Sequence, residues 1–354
     1  MEFNPDVFRS KTILLPCDDP EWSNFTKYFA QNFERFGLAK LISTSYAVES
    51  KKYKSGYQPT LFETRAPYYD QVKTVKNGKI FTLTHDKTGD HKVNVDDLEW
   101  HYLAGDGDFR SAEIKKLRDE ADIIITNPPF SMFREFLAWI FEAEKQFVII
   151  SSMNAISYKE VFPLIQNDKM WLGNGFHAGN AYFSTPFAKD YGDGVYYPET
   201  GLVKFRNVCW FTNLDHGRRH QPLPLMTMSD NLKYSKHKEI KGKKSYARYD
   251  NYDAIEVPFT DAIPSDYDGV MGVPISFLDK YSPEQFEIVG RCENEDLYHL
   301  KTKVYTAAEC RQAYLDKFGK TGTYDMNSNG VLLIDGLFEK TYQRVFIKHR
   351  KATE

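Results

Sequence analysis

The amino-acid sequence predicts an α/β fold built on a parallel β-sheet. Four short apolar stretches, at residues 13–15, 39–46, 122–126 and 147–152, have the length and composition of buried strands. Segments with helical spacing of apolar residues lie between them, at residues 19–36, 111–121 and 131–146. Strands that alternate with helices are typical of a parallel sheet covered by helices.

The first strand and the first helix follow from local residue chemistry. Asp19 followed by Pro20 is a favourable helix start, with Asp19 as the N-cap and Pro20 at the first helical position. Gly37 is the predicted end of this helix. Helical spacing is kept by five aromatic residues, Trp22, Phe25, Phe29, Phe33 and Phe36.

An insertion is expected at residues 53–103, with a hairpin turn at Asn77–Gly78 between "VK" and "KIFTL". Ser111 is the predicted N-cap of the helix that follows, and residues 122–126 form the next strand. One apolar face of the helix after that strand is formed by Phe133, Phe136, Leu137, Ile140 and Phe141.

The character of the sequence changes after about residue 170. The strand-like pieces "KMWLGN", "GLVKFRN" and "VCWFTNL" follow one another without helices between them. A later helix is predicted from the capping box of Thr306 and Glu309 to Gly319. We expect two domains, residues 1–215, which contain the insertion, and residues 216–354.

The composition bounds the class of protein. The 354 residues carry a net charge of −3, so any surface for nucleic acid must be a local patch. The four cysteines and nine histidines show no metal-ligand or redox spacing, and no metal site is expected. No apolar run approaches ~18 residues, and the N-terminus lacks the apolar region of a signal peptide. A cytoplasmic protein without a membrane segment is therefore expected.

The stretch "NPPF" at residues 127–130 follows a predicted strand. Ligands bind at the carboxyl ends of strands in such sheets, and Asn127 lies at one of them. Neither Pro128 nor Pro129 can donate a backbone hydrogen bond, so the chain is stiff here. The side-chain oxygen of Asn127 and the carbonyl of Pro128 can form a rigid pair of acceptors, and Phe130 offers a flat face for stacking.

Two fixed acceptors suit an exocyclic amine on a base, which has two N–H donors. Such an amine is a poor nucleophile because its lone pair is delocalised into the ring. Holding both hydrogens out of the ring plane localises the lone pair and directs it at an electrophile. The methyl group of S-adenosylmethionine fits as that electrophile, so the four residues of "NPPF" are the predicted catalytic residues. A stiff turn with a core phenylalanine is the alternative.

Two loops are candidates for binding the cofactor. In "GDGDFRS" (residues 105–111), we expect Asp108 to accept from the adenine amino group and Phe109 to pack on the adenine ring; a glycine turn with a local bond is the alternative. "PCDDP" (residues 16–20) ends the first strand. There Cys17, Asp18, Asp19 and Pro20 are predicted cofactor contacts, with the two aspartates facing the ammonium group or the ribose, and Asn127 is a further predicted cofactor contact. The alternative for Asp19 is the helix cap alone.

Residues 216–248 are polar and basic, with nine Lys and Arg residues against two acidic ones. Phosphate contacts are the functional interpretation, and a solvated loop is the alternative. The predicted DNA-binding residues are Arg218, Arg219, Lys236, Lys241, Lys243, Lys244 and Arg248.

Several stretches resemble the EcoRI-type adenine-N6 DNA methyltransferases. They are "CDDPEWSNFTKYF", "GDGDFRS", "ADIIITNPPFSMFREFLAWI", "VCWFTNLDHGRRHQPLPL" and "GVPISFLDKYSPEQFEIVG", and the likeness covers about residues 10–350. The resemblance implies a Rossmann-like S-adenosylmethionine-dependent methyltransferase sheet with an inserted hairpin and a C-terminal DNA-recognition region. It also implies methylation of the N6 amine of adenine in a specific site of double-stranded DNA.

The resemblance places amine binding on Asn127, Pro128 and Phe130, and cofactor roles on Asp18 and Asp108. A flipped adenine is expected between Phe130 and an aromatic residue of a later strand, Trp210 or Phe211. A monomeric state and a cognate restriction endonuclease that makes no direct contact are further expectations from the family.

Two features depart from the family pattern. The N-terminal segment that usually precedes the first strand is not found, and no acidic residue ends the second strand, since Glu49 in "ISTSYAVES" comes only after a gap. Two alternatives therefore stay open. One is the same chemistry on an amine of RNA or protein, and the other is a catalytically inactive DNA-binding homologue.

Overall fold

The computed structural model describes residues 3–18, 23–47, 61–173, 180–185 and 188–350. The chain divides into two units, Met1–Ile165 with Lys169–His216, and Gln166–Asp168 with Gly217–Glu354. The roles expected for the two parts, catalysis and DNA recognition, stay predictions.

The first unit is built on a mixed β-sheet. Its strands in chain order are β1 (Thr12–Leu15), β2 (Lys40–Ser45), β3 (Lys79–Leu83), β4 (Glu99–Tyr102), β5 (Ile123–Thr126), β6 (Gln146–Ser152), β7 (Trp171–Leu172), β8 (Asn180–Phe183), β9 (Tyr196–Tyr197), β10 (Leu202–Arg206) and β11 (Val208–Thr212). Eight of them form the main sheet, in the order β4-β3-β2-β1-β5-β6-β11-β7, and β8-β10-β9 form a small sheet.

Parallel pairing is confined to the centre of the main sheet. Strands β2, β1, β5 and β6 are parallel, whereas β3, β4 and β11 are antiparallel to their neighbours. The predicted α/β class is confirmed. The purely parallel pattern is wrong at both edges, where β3 and β4 on one side and β11 and β7 on the other pair antiparallel with their neighbours.

Helices cover the main sheet. In chain order they are α1 (Asn24–Gln31), α2 (Phe33–Phe36), α3 (Leu61–Thr64), α4 (Gln71–Lys76), α5 (Ala112–Glu120), α6 (Phe133–Glu142) and α7 (Phe162–Gln166). Ser111 caps α5 as predicted, accepting from the N–H of Ile114. The predicted apolar face of α6 is buried, with Phe141 half-buried at its edge.

The start of α1 differs from the prediction. Its N-cap is Ser23, whose hydroxyl accepts a hydrogen bond from the N–H of Phe25 (3.1 Å). The prediction of Asp19 as the N-cap of this helix is therefore wrong, and Asp19 and Pro20 themselves lie outside the described residues. Gly37, with a φ of 63°, ends α2 as expected.

The predicted hairpin turn at Asn77–Gly78 is wrong. The residues before it form α4, because the carboxylate of Asp70 caps that helix. Gly78 lies directly before β3, and its N–H donates to the carbonyl of Gly105, which follows β4 (2.9 Å). Strands β3 and β4 therefore extend the main sheet beyond β2, and the expected insertion supplies two of its strands.

The second unit contains a four-stranded sheet and a separate hairpin. Its elements are α8 (Met228–Tyr234), β12 (Ala254–Glu256), β13 (Val270–Pro274), β14 (Phe286–Arg291), α9 (Ala307–Phe318), β15 (Val331–Ile334), β16 (Leu337–Lys340) and β17 (Arg344–His349). The sheet order is β12-β13-β17-β14, and β15 pairs with β16. Helix α9 begins with the predicted capping box and ends at Gly319. None of the helices in the described ranges is long and apolar enough to cross a membrane.

A buried ion pair joins two strands of the second sheet. The guanidinium of Arg344 on β17 lies 2.6 Å from Oε1 of Glu256 on β12, and the hydroxyl of Tyr249 also donates to that carboxylate. The side chains of Arg344 and Glu256 are 9% and 7% exposed. Two charges so far from water are tolerated only while they remain paired.

We expect Arg344→Met to lower the free energy of unfolding of the second unit by about 3–5 kcal/mol, because the carboxylate of Glu256 stays buried without its cation. Urea unfolding followed by circular dichroism measures the change, since all five tryptophans lie outside this unit. The control is Arg248→Met, since the partner of Arg248, Asp253, is exposed and its loss leaves no buried charge. Equal unfolding midpoints for the two variants would contradict the expectation.

Candidate active site

The "NPPF" segment lies at the carboxyl end of β5. The strand is buried, whereas Asn127 is exposed and Pro128 beside it is buried. Phe130 is 40% exposed and opens a 3₁₀ turn, in which the N–H of Met132 donates to the carbonyl of Pro129 (2.9 Å). The amide of Asn127 and the ring of Phe130 are thus accessible from solvent on a stiff stretch of chain.

The carboxylate of Asp18 ties this segment to the first strand. Asp18 is buried, and its two oxygens accept from the hydroxyl of Thr126 and from that of Ser23 (2.7 Å). The carbonyl oxygen of Asp18 accepts from the hydroxyl of Ser43 on β2. Because Thr126 directly precedes Asn127, the ends of β1, β2 and β5 are held together just behind the exposed amide.

The loop before α5 packs on the end of β2. The N–H of Ala47 donates to the carbonyl of Asp106 (2.8 Å). Gly107 has a φ of 87°, and a Cβ added there would clash with the carbonyl oxygen of Ser45. Only glycine fits this close approach, which sets the position of Asp108 in the next turn.

The side chain of Asp108 is held by two neighbours. Nε of Arg110 lies 2.9 Å from one carboxylate oxygen and Nη2 lies 2.5 Å from the other. The half-buried hydroxyl of Tyr46, at the end of β2, also hydrogen-bonds the carboxylate. The hydrogen bonds from Arg110 are the main reason that the pKa of Asp108 lies below its ordinary value. Asp108 is therefore an anion at neutral pH.

The raised pKa values of two neutral side chains indicate a negative electrostatic potential at this edge of the sheet. Burial raises the pKa of the Cys17 thiol, and the charges of Asp18 and Asp108 raise it further. Burial and then the charge of Asp108 raise the pKa of Tyr46 in the same way. Carboxylates and a hydroxyl beside a negative potential fit S-adenosylmethionine, which carries a sulfonium, an ammonium group and ribose hydroxyls.

Phe109 is not placed as the cofactor prediction required. Its side chain is 1% exposed, and its ring contacts the rings of Phe136 and Trp139 at centroid distances of 5.0 and 5.7 Å. Phe109 is therefore a core residue between α5 and α6, with no ring face open to a ligand. The sequence pattern did not reveal this, because "GDGDF" does not show which way the phenylalanine points.

The positions of Trp210 and Phe211 also differ from the prediction that one of them stacks on the flipped base. Phe211 is fully buried, with its ring 5.1 Å from that of Phe133 on α6. Trp210 lies on the opposite face of β11, where its ring contacts that of Phe25 at 5.8 Å. Phe211 cannot stack on a base in this arrangement, and Trp210 is half-buried.

The seven predicted DNA-binding residues fall into two groups. Three are exposed, Lys241, Lys243 and Lys244, and the described part of the chain gives them no ion pair. The other four are ion-paired: Arg218 with Asp279, Arg219 with Asp168, Lys236 with Asp261, and Arg248 with Asp253.

Sequence reasoning missed Tyr46 and Thr126. Thr126 ends β5 and Tyr46 directly follows β2, so the signal available was their position after the apolar residues of these strands. The predicted contacts Asp19 and Pro20, and Glu49 as the acid after the second strand, lie outside the described residues. Within the described ranges, no three His, Cys, Asp or Glu side chains are grouped closely enough to bind a metal ion.

Comparison with known proteins gives consistent matches along the chain. A family model described as "Adenine-specific methyltransferase EcoRI" matches residues 1–350. The chain is 41% identical over 292 residues to Type II methyltransferase M.EcoRI of Escherichia coli, covering 82% of this chain and 81% of that protein. It is 30% identical over 353 residues to a Type II methyltransferase of Mycoplasma genitalium, covering 97% and 90% of the two chains. A Type II methyltransferase of Mycoplasma pneumoniae is 30% identical over 307 residues, covering 85% and 82%. No solved structure matches the chain significantly.

We expect Gly107→Ala to weaken binding of S-adenosylmethionine about ten-fold or more, because the added Cβ displaces the loop that carries Asp108 and strains a positive φ. Isothermal titration calorimetry measures the affinity. Gly105→Ala is the matched control in the same loop, since its added Cβ meets nothing closer than a Glu113 oxygen at 4.0 Å. Equal affinities of the two variants would show that the loop does not position the cofactor.

Proposed function

Since the chain belongs to the family of EcoRI-type adenine-specific methyltransferases, we propose that it methylates the N6 amine of adenine in a specific site of double-stranded DNA. S-adenosylmethionine supplies the methyl group as an electrophilic carbon on a sulfonium. The observation that supports this function most directly is the exposed Asn127 amide beside the rigid Pro128, at the carboxyl end of a central strand.

We infer that the adenine amine donates one hydrogen to the side-chain oxygen of Asn127 and the other to the carbonyl oxygen of Pro128. Both acceptors lie on one stiff segment, so they impose a fixed geometry on the amine. The lone pair then forms the new N–C bond while the C–S bond breaks, and the surplus proton leaves the product amine to water. No residue of this segment acts as a general base.

Adenine in a duplex must leave the base stack to reach this segment. The exposed ring of Phe130 supports a role in stacking on the flipped base. The partner on the other side of the base is not Phe211, which lies in the core; Trp210 remains a candidate only through its half-exposed edge.

Cofactor binding is proposed at the ends of β1 and β2 and at the loop before α5. Asp108 is the proposed acceptor there, since it is an oriented anion with part of its surface exposed. Asp18 is buried and already accepts from Ser23 and Thr126, which supports a positioning role more than direct contact. Cys17 lies beside both carboxylates and stays a neutral thiol.

The two alternatives are less well supported. Similarity over 81% of a protein named as a Type II methyltransferase favours DNA over RNA or protein. The ordered link between Asp18, Thr126 and the "NPPF" segment favours a working site over an inactive homologue. We further propose a cytoplasmic monomer that acts beside a restriction endonuclease without contacting it, in line with the Type II designation of the relatives.

The second unit is the proposed DNA-recognition region. Its exposed lysines, Lys241, Lys243 and Lys244, carry charge that no acidic side chain of the described chain neutralises. Such cations release counterions from DNA when they contact phosphates. Arg218, Arg219, Lys236 and Arg248 are less available for this role, because each is held by an aspartate.

We expect Asn127→Ala to abolish methyl transfer while leaving DNA affinity within about two-fold, because one acceptor of the amine is removed and the phosphate-binding side chains are unchanged. Radiolabelled transfer from S-adenosylmethionine to unmodified duplex DNA, with nucleoside analysis of the product, measures activity. Asn127→Asp is the matched control: it keeps an acceptor oxygen and should retain more activity than the alanine variant. Wild-type turnover in Asn127→Ala would exclude the amine-acceptor role.

We expect joint replacement of Lys241, Lys243 and Lys244 by alanine to weaken DNA binding and to reduce the slope of log affinity against log salt. The reduction should be about one unit for each phosphate that a lysine no longer neutralises. Fluorescence anisotropy at several salt concentrations measures the slope. Lys236→Ala, on the same segment but ion-paired with Asp261, is the control and should change the slope less. An unaltered slope in the triple variant would remove this segment from the DNA interface.

A further inference from the structure

The small sheet emerges from the edge of the main sheet that carries Asn127. Strands β5 and β6 are parallel, with Thr126 opposite Ile149, so both end at this edge. Strand β11 is antiparallel to β6, with Val208 opposite Ser152, and therefore begins there. Strand β7 is antiparallel to β11 and ends at the same edge. The chain between β7 and β11, which contains the small sheet, thus leaves and re-enters the main sheet at the same edge as the "NPPF" segment, with β11 two strands away from β5.

One face of the small sheet is anchored on the main sheet. Ala181 and Val208 are buried in a cluster with Ile150 of β6, and Phe183 and Phe205 pack against the same cluster. The sheet is therefore a fixed part of the first unit, and its other face points away from this core.

The outer face combines tyrosine rings with cations. Strand β10 alternates, so that Val203 faces the core while Lys204 and Arg206 face outward. Register places Tyr182 opposite Lys204 and Tyr197 opposite Leu202, which puts both tyrosines on this outer face.

The geometry of these side chains is that of a cation–aromatic platform. The ammonium of Lys204 lies 5.6 Å from the centroid of the Tyr182 ring, and the two tyrosine rings are 6.3 Å apart. Tyr182 is 55% exposed and Arg206 is exposed. An apolar protein partner would have to desolvate both cations. A nucleic acid instead offers bases that stack on the rings and phosphates that pair with the cations.

We propose that this outer face, formed by Tyr182, Tyr197, Lys204 and Arg206, binds the DNA strand next to the flipped adenine. The tyrosines stack on bases that lose their neighbour when the adenine leaves the duplex, and the cations contact the adjoining phosphates. The inference rests on the proposed methylation of duplex DNA and adds a DNA-binding surface to the catalytic unit itself. Binding by this face stabilises the flipped state of the adenine, so it affects base flipping more than the initial binding of DNA.

The test uses the full chain and a short duplex that contains the site methylated by the wild-type protein, mapped beforehand on unmodified DNA. One version of the duplex carries 2-aminopurine in place of the target adenine, whose fluorescence rises when the base is flipped. We compare the double variant Tyr182→Ala, Tyr197→Ala with Tyr182→Phe, Tyr197→Phe, which keeps the rings. A second pair is Lys204→Ala, Arg206→Ala against the exposed Lys116→Ala on α5. Circular dichroism and affinity for S-adenosylmethionine verify that each variant is folded.

We expect the double alanine variant of the tyrosines to reduce the flipped-state fluorescence and kcat/KM on the order of ten-fold, with the phenylalanine variant near wild type. The Lys204 and Arg206 variant should lower the salt slope of DNA binding by about one unit per residue, and Lys116→Ala should not. If the wild type methylates the duplex but all variants flip, bind and turn over like it, the platform inference is overturned and the proposed function stands. If the wild type transfers no methyl group to DNA, the proposed function fails, and this inference fails with it. If the double alanine variant of the tyrosines does not fold, the salt slope of the Lys204→Ala, Arg206→Ala variant decides the test.

Discussion

The buried carboxylate of Asp18 is the interaction on which the site depends. An ionised carboxylate inside a protein is costly unless hydrogen bonds compensate it, and here hydroxyls of Ser23 and Thr126 do so from two different elements. The backbone carbonyl of the same residue is bound by Ser43 from a third. One residue thereby fixes the ends of β1, β2 and β5 and the start of α1 relative to each other. The exposed Asn127, one residue beyond Thr126, takes its position from this network.

Charge is divided between the two units in a way that the net charge of −3 conceals. The edge of the main sheet holds carboxylates, and burial together with their charge raises the pKa values of Cys17 and Tyr46. Lys241, Lys243 and Lys244, which are exposed and suit phosphates, lie on the second unit, away in sequence from the residues that suit a cationic cofactor.

Aromatic residues serve two purposes that only exposure distinguishes. Phe109 and Phe211 complete the packing of α5 and α6 on the main sheet, and their replacement would open cavities in the core. Phe130 and Tyr182 instead keep large parts of their rings in contact with solvent at the edge that carries Asn127. Exposed rings on a rigid sheet edge are suited to bases, because stacking requires a free face and a fixed orientation.

The sequence by itself determined the features that depend on neighbouring residues. The strand before "NPPF", the Ser111 cap, the apolar face of α6 and the capping box of α9 all follow from spacings of a few residues, and each is present in the structure. Tertiary structure decided whatever depends on distant partners. Asn77–Gly78 has the chemistry of a hairpin turn, but it joins α4 to β3, and Gly78 bonds to Gly105 after β4. The partner of Arg219 is Asp168, and the partners of Asp108 include Tyr46, which follows β2. Burial, ion pairing and pKa depend on contacts between residues that are distant in sequence. Such contacts produce no periodic pattern in the amino-acid sequence.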